Sequence, residues 1–175
     1  PAWDAQRTVV DTVVVHHTKL RPGVTWQRLD AIQLARVYAR YYRFPGPHEH
    51  HIHGTPIHSG HHRDGRQVFY AYHWLVRADG AGERLLADAE TGWQAGDWNV
   101  NCRSVAIALD GNLETADPPA EMLEGAAAIV RTHYPAVAVE RVLGHLQVNP
   151  RTGCPGGRFL DGWRHTLHGL VASPT

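Results

Sequence analysis

The chain has 175 residues, a hydrophobic fraction of 43%, and 17 basic side chains balanced by 17 acidic ones. That length suits one well-buried core, so a single domain spanning 1–175 is expected; the balanced charge lacks the broad positive field that nucleic acid or an anionic membrane attracts, and argues against both as partners. No apolar run approaches the roughly 20 residues of a bilayer span. No charged-then-apolar leader opens the chain, and a first residue of Pro1 is compatible with a signal peptide or neighbouring domain removed upstream. Two cysteines, Cys102 and Cys154, allow at most one disulfide and leave the compartment open. Histidine departs furthest from ordinary usage, with 14 copies, half of them inside "HEHHIHGTPIHSGHH" at 48–62.

In chain order, the three valines of "DTVVVHH" predict a strand buried on both faces, with His16 and His17 at its exit. After Pro22 and Gly23, Thr25 caps a predicted helix whose apolar face is Leu29, Ile32, Ala35, Ala39 and Tyr42 and which ends near "RFPGP". From Phe44 to Gln67 the Gly, Pro and His content predicts a long loop without regular structure. "VFYAYHWLVRADGAGERLLA" predicts two strands about an "ADGAG" turn. A second irregular stretch, "ETGWQAGDWNVNCR", leads into the strand "SVAIALDG". Asp117 with Pro118 then opens a helix that turns Met122, Leu123, Ala126, Ile129 and Val130 inward and stops at Pro135. "ERVLGH" predicts a short strand ending at His145, and "FLDGWRHTLHGLV" a closing helix with Phe159, Trp163, Leu167 and Leu170 inward. The order β-α-β-β-β-α-β-α predicts an α/β fold with one mixed sheet flanked by helices.

Chemistry concentrates in "LGHLQVNPRTGCPGG", where His145 and Cys154 bracket a loop that Pro150 and Gly153 keep out of helix or strand. Zinc takes nitrogen and sulfur ligands, and a catalytic site holds three protein ligands with the fourth place open. His16 is the best placed third ligand if the "TVVV" and "RVL" strands are neighbours. A metal also gives a buried thiolate the positive partner without which its burial is costly. Taken singly, His16 reads more often as a strand-end histidine bonded to backbone, and Cys154 as a partner of Cys102 or a buried thiol.

The motifs "VVVHHT", "AYHWLVRADG", "DWNVNCRSVAIAL" and "GHLQVNPRTGCPG", in this order, resemble the zinc-dependent N-acetylmuramoyl-L-alanine amidases of the second type, together with phage lysozymes of amidase activity and peptidoglycan recognition proteins. The resemblance spans roughly 11–171, with 43–67 as an unmatched insertion. It implies one zinc ion on His16, His145 and Cys154, a catalytic Tyr72, and an assisting Thr152. Tyr72 and Thr152 would donate hydrogen bonds to the oxygen on which charge gathers during amide hydrolysis. In "FYAYHW", strict alternation puts Tyr70, Tyr72 and Trp74 on one face and Phe69, Ala71 and His73 on the other. No carboxylate is assigned as general base; Glu83 and Glu90 are the candidates.

The substrate implied is bacterial peptidoglycan, cut between the lactyl group of N-acetylmuramic acid and the L-alanine of the stem peptide by a monomeric enzyme that is secreted, periplasmic or delivered by phage. Trp93, Gln94, Trp98, Asn99 and Asn101 have the mixed aromatic and amide character that a groove for sugars and peptide needs, and Arg103 suits a peptide carboxylate. Gln94 stands where relatives frequently carry histidine. The histidine-rich loop reads as a lid over this groove whose imidazoles begin to charge near pH 6, with a second metal at His50, His51 and His53 as the weaker reading. Two rivals remain: a peptidoglycan-binding recognition module without turnover, whose relatives usually lose the cysteine ligand, and a structural zinc site closed by His17.

Overall fold

Residues 3–19, 61–63, 66–68 and 71–173 are described in the structure, a computed structural model. In chain order the strands and helices are β1 (Thr12–His17), β2 (His61–Arg63), β3 (Arg66–Val68), β4 (Trp74–Val76), β5 (Gly82–Arg84), α1 (Trp98–Arg103), β6 (Ser104–Leu109), α2 (Ala120–His133), β7 (Val142–Gly144), α3 (His145–Val148) and α4 (Arg164–Ala172). The predicted helix following Thr25 lies outside the described residues, as does most of the histidine-rich loop with the lid and second-metal readings attached to it.

Five strands form one mixed sheet in the order β5-β4-β6-β1-β7. β1 lies parallel to both β6 and β7, β4 is parallel to β6, and β5 runs antiparallel to β4. The side-chain alternation of β6 explains how the sheet is covered. Val105, Ile107 and Leu109 point into the main core with Met122, Leu123, Ala126 and Val130 of α2 and Leu167 of α4, where each large aliphatic side chain contributes roughly 1.5–3 kcal/mol by leaving water. Ala106 and Ala108 point the other way and pack with Tyr72, Leu75 and Leu85. Because those two side chains are methyl groups, the second face keeps room above the sheet.

Several expectations are corrected. The stretch 44–67 is not wholly irregular: β2 and β3 pair antiparallel, Arg63 opposite Arg66. The segment "ETGWQAGDWNVNCR" contains α1, whose N-cap Asp97 accepts from the Val100 N–H at 3.0 Å. The short helix α3 begins at His145 and enters the loop read as irregular. α2 begins at Ala120 rather than at Asp117, whose carboxylate pairs with Arg158 at 2.9 Å. The closing helix is broken at Gly162 (φ −135°, ψ −110°), so a wide turn over Phe159–Trp163 precedes α4. Phe159, Trp163 and Leu167 still face the core, with Leu170 half-buried against it.

Candidate active site

The site forms where parallel strands end, the edge at which open α/β sheets usually place their ligands. Thr12, Val14 and His16 alternate with Val13 and Val15, and Val14 packs with Ala95 and Val100 on the face away from α2. His16 therefore leaves β1 on that same face. β7 pairs with β1 up to Val15 opposite Gly144, so the next residue, His145, emerges beside His16. Gly144 is required there because a Cβ would meet the Phe159 ring at 2.5 Å and Pro155 at 2.9 Å. The loop then folds back: the Leu146 N–H donates to the Cys154 carbonyl at 2.7 Å, and the Cys154 N–H donates to Thr152 Oγ1 at 3.1 Å.

One ligand atom each from His16, His145 and Cys154 lies within 4.8 Å of the others. His16 Nδ1 is 3.6 Å from Cys154 Sγ, and the two imidazole centroids are 4.5 Å apart. His16 Nε2 contacts Gln94 Oε1 at 2.6 Å, which leaves Nδ1 for the cysteine side. His145 bonds the backbone of Ala95 through its other nitrogen, and its Nε2 is buried with no hydrogen-bond partner. Burial, reinforced by His145, pushes the His16 imidazole well below its ordinary range. Burial also lowers His145 and raises the Cys154 thiol to about 12. Two neutral imidazoles, one with an orphaned acceptor, and a half-buried thiol facing each other form a donor set that fits a tetrahedral metal with an open position.

His17 does not close this site. Its Nδ1 accepts from the Leu113 N–H at 3.0 Å, and burial holds its pKa near 4. A neutral ring engaged in that way carries its hydrogen on Nε2 and has no lone pair left for a metal.

A cavity of about 330 Å³ opens over the three residues and is lined further by Tyr72, Trp93, Thr152, Lys19 and Glu114. The Tyr72 ring lies 4.9 Å from that of His16, centroid to centroid. Strict alternation does not carry it there: Tyr72 shares a cluster with Ala71 and Leu75, whereas Trp74 faces the other core, because the chain bends at His73 before β4 begins. Trp93 stands at the opening, 44% exposed, with Trp98 at 5.4 Å between centroids.

The other groove residues are placed differently from expectation. Gln94 touches the cavity, but its amide is engaged behind His16. Trp98 ties its loop to the N-terminal turn by donating to Gln6 Oε1 at 2.7 Å. Asn99 is exposed on α1, and Asn101 is buried among backbone N–H groups. Arg103 lies at the opposite end of β1, 2.9 Å from Asp11. Neither candidate base reaches the cavity: Glu83 pairs with Arg77 at 3.0 Å, and Glu90 accepts from the Ala87 N–H at 2.6 Å. Among the described residues, the carboxylate that lines the opening is Glu114, paired with Lys19 at 2.6 Å. Sequence reasoning missed both, although each follows the end of a strand, β1 or β6, whose exit forms the site.

Comparison with known proteins identifies the family and the fold. A match to the N-acetylmuramoyl-L-alanine amidase family (Amidase_2) extends over residues 6–157, and the chain belongs to that family. A peptidoglycan-recognition protein of Drosophila melanogaster is 32% identical over 98 residues, 51% of this chain; the match spans half the length of that relative. In fold, the chain is similar to N-acetylmuramoyl-L-alanine amidase LysC from Clostridium intestinale, with a TM-score of 0.64 at 16% identity over 99% of this chain and 90% of that one. It is likewise similar to Drosophila PGRP-LB, with a TM-score of 0.60 at 24% identity over 97% and 88%, a protein also solved, as a variant, in complex with tracheal cytotoxin.

Proposed function

We propose that the protein is a zinc-dependent peptidoglycan amidase that hydrolyses the amide between N-acetylmuramic acid and the L-alanine of the stem peptide. The observation that carries this reading is the convergence of one ligand atom each from His16, His145 and Cys154 under one open cavity with Tyr72 beside it. Family membership supplies the reaction class, and the peptidoglycan fragment bound by PGRP-LB supports the substrate class.

A zinc ion held by those three residues supplies, when bound, a Lewis acid for the amide carbonyl and a water acidified to a pKa of about 7. The remaining work falls to side chains. His16 and His145 stay neutral, as ligands must, because burial disfavours their charged forms. Water adds to the carbonyl carbon, the C–N bond breaks, and a proton goes to the departing amine. As charge develops on the former carbonyl oxygen, the Tyr72 phenol and the Thr152 hydroxyl donate hydrogen bonds to it; one such donor is worth about 10²–10³ in rate. Thr152 Oγ1 is preorganised for this, since accepting from the Cys154 N–H leaves its own hydrogen free to turn toward the cavity. Trp93 offers an aromatic face to sugar, and Lys19, paired with Glu114 at the opening, places a cation there for a peptide carboxylate.

A recognition module without turnover needs the groove but not the thiol. Here Cys154 is retained and aimed at both imidazoles. Because the substrate lies outside the cell membrane, the enzyme is secreted, periplasmic or phage-delivered. Dye release from purified cell walls, with a chelator and then with zinc restored, tests the reading: loss and recovery are expected, and wall binding with no release in any state would overturn it.

A further inference from the structure

Both imidazoles of the site face the same two-residue segment, Gln94 and Ala95. Gln94 Oε1 accepts from His16 Nε2 at 2.6 Å, while its Nε2 donates to Ser104 Oγ at 2.8 Å. The Ala95 backbone takes the hydrogen of His145. The segment is itself clamped by one atom: Asn101 Oδ1 accepts from the Gln94 N–H at 3.2 Å and from the Ala95 N–H at 2.8 Å. Since both partners are N–H groups, the atom facing them must be the oxygen, which fixes the amide orientation. Asn101 is 5% exposed and sits on α1, with its N–H bonded to the Asp97 carbonyl at 3.0 Å and its own carbonyl accepting from Arg7 at 2.9 Å.

We propose that Gln94, Ala95 and Asn101 act as a positioning bracket that holds the two histidines in opposite tautomers, His16 with its hydrogen on Nε2 and His145 with its hydrogen on Nδ1, so that both lone pairs meet at one cation. The proposal rests on the metal-site reading above. A neutral imidazole without a fixed partner samples both tautomers, and the wrong one aims an N–H at the metal. Gln94 acts on His16 directly. Asn101 acts on both rings, because releasing its oxygen frees the Gln94 side chain and the Ala95 carbonyl together. This also assigns Gln94 a role facing away from substrate, in place of the groove contact expected from sequence.

The test uses the whole chain and reads zinc affinity by chelator competition, together with long-range ¹H–¹⁵N spectra of the zinc-loaded protein. Metal-bound shifts are expected at His16 Nδ1 and His145 Nε2, with hydrogens on the opposite nitrogens. Gln94→Leu is expected to weaken zinc binding about 10–100-fold, the usual cost of losing a partner behind a ligand. Gln94→Glu, which keeps the acceptor, is expected to stay within about threefold of wild type. Asn101→Leu should lose at least as much as Gln94→Leu while Asn101→Asp retains binding; if Asn101→Leu does not fold, the two Gln94 variants decide alone. Identical tautomers at the two rings, or Gln94→Leu binding zinc like wild type, would overturn the bracket. A protein that binds zinc in the stated tautomers but leaves cell walls intact would support the bracket and remove the amidase reading, so the two fail separately.

Discussion

At the entrance of β1, Asp11 and Thr12 meet Arg103 and Arg141; at its exit, His16 meets His145 and Cys154. The entrance is a cluster of matched charges. Asp11 Oδ1 takes both guanidinium groups at 2.9 Å and the Thr12 hydroxyl at 2.7 Å, and both arginines also reach Thr12 Oγ1. The exit is the reverse: its imidazoles are kept neutral by burial, its thiol is held protonated, and His145 Nε2 has no partner. A polar cluster that satisfies itself in water is worth up to about 1 kcal/mol per pair and fixes strand ends. One that buries a ligand atom without a partner is costly unless something further binds. The contrast separates scaffold from site along a single strand.

Substitutions at the two ends should therefore behave oppositely, with the largest effect at the exit. Cys154→Ala is expected to abolish release of soluble fragments from purified walls while the chain remains folded by circular dichroism; retained turnover would break the distinction. Tyr72→Phe, which removes only the phenolic hydrogen-bond donor, should lower kcat by about 10²–10³ with zinc content unchanged, and a decrease in zinc content instead would make Tyr72 part of the scaffold.

A smaller effect concerns pH. His73 accepts from the Ala106 N–H at 3.1 Å and donates to the Glu90 carbonyl at 2.9 Å. Burial, and then the neighbouring Arg7, lower its pKa to about 3. Between about pH 3 and 6.5 it is neutral in the fold while the unfolded chain, with an ordinary value of about 6.5, binds a proton. Its contribution is therefore present in full above pH ~6.5 and is lost as pH falls toward ~3, with a slope of up to about 1.4 kcal/mol per unit. Denaturant melts between pH 7 and 4 should show a shallower slope in His73→Gln than in wild type; parallel slopes would exclude this residue as the source. The least effect is expected at the entrance, where Arg103→Ala should cost no more than about 1 kcal/mol of stability and leave kcat/KM unaltered. A specific loss of activity there would return Arg103 to the substrate.

The sheet and its main core were legible in local pattern. Three valines in β1, the alternation of β6, and the 3.6-residue spacing of Met122, Leu123, Ala126, Ile129 and Val130 each state which side is buried. Irregular stretches were less legible because a single capping side chain decides them: Asp97 creates α1 inside a segment otherwise read as loop. The gathering of His16 and His145 was legible because both stand at the ends of parallel strands, and parallel pairing of β1 with β7 makes them adjacent. Lys19 and Glu114 were missed, and the partners of Gln94 and Asn101 were not foreseen, for one physical reason. Their roles depend on which partner lies across a loop, and neither periodicity nor spacing encodes that. Arg103 shows the same limit: its charge was plain in the sequence, but its end of the sheet was not.

Mass spectrometry of wall peptides after digestion reads which bond the protein breaks. New free amino termini on L-alanine are expected, absent when the protein is treated with a chelator and restored by zinc. New reducing sugar ends in their place, or cleavage that persists without the metal, would contradict the amidase reading.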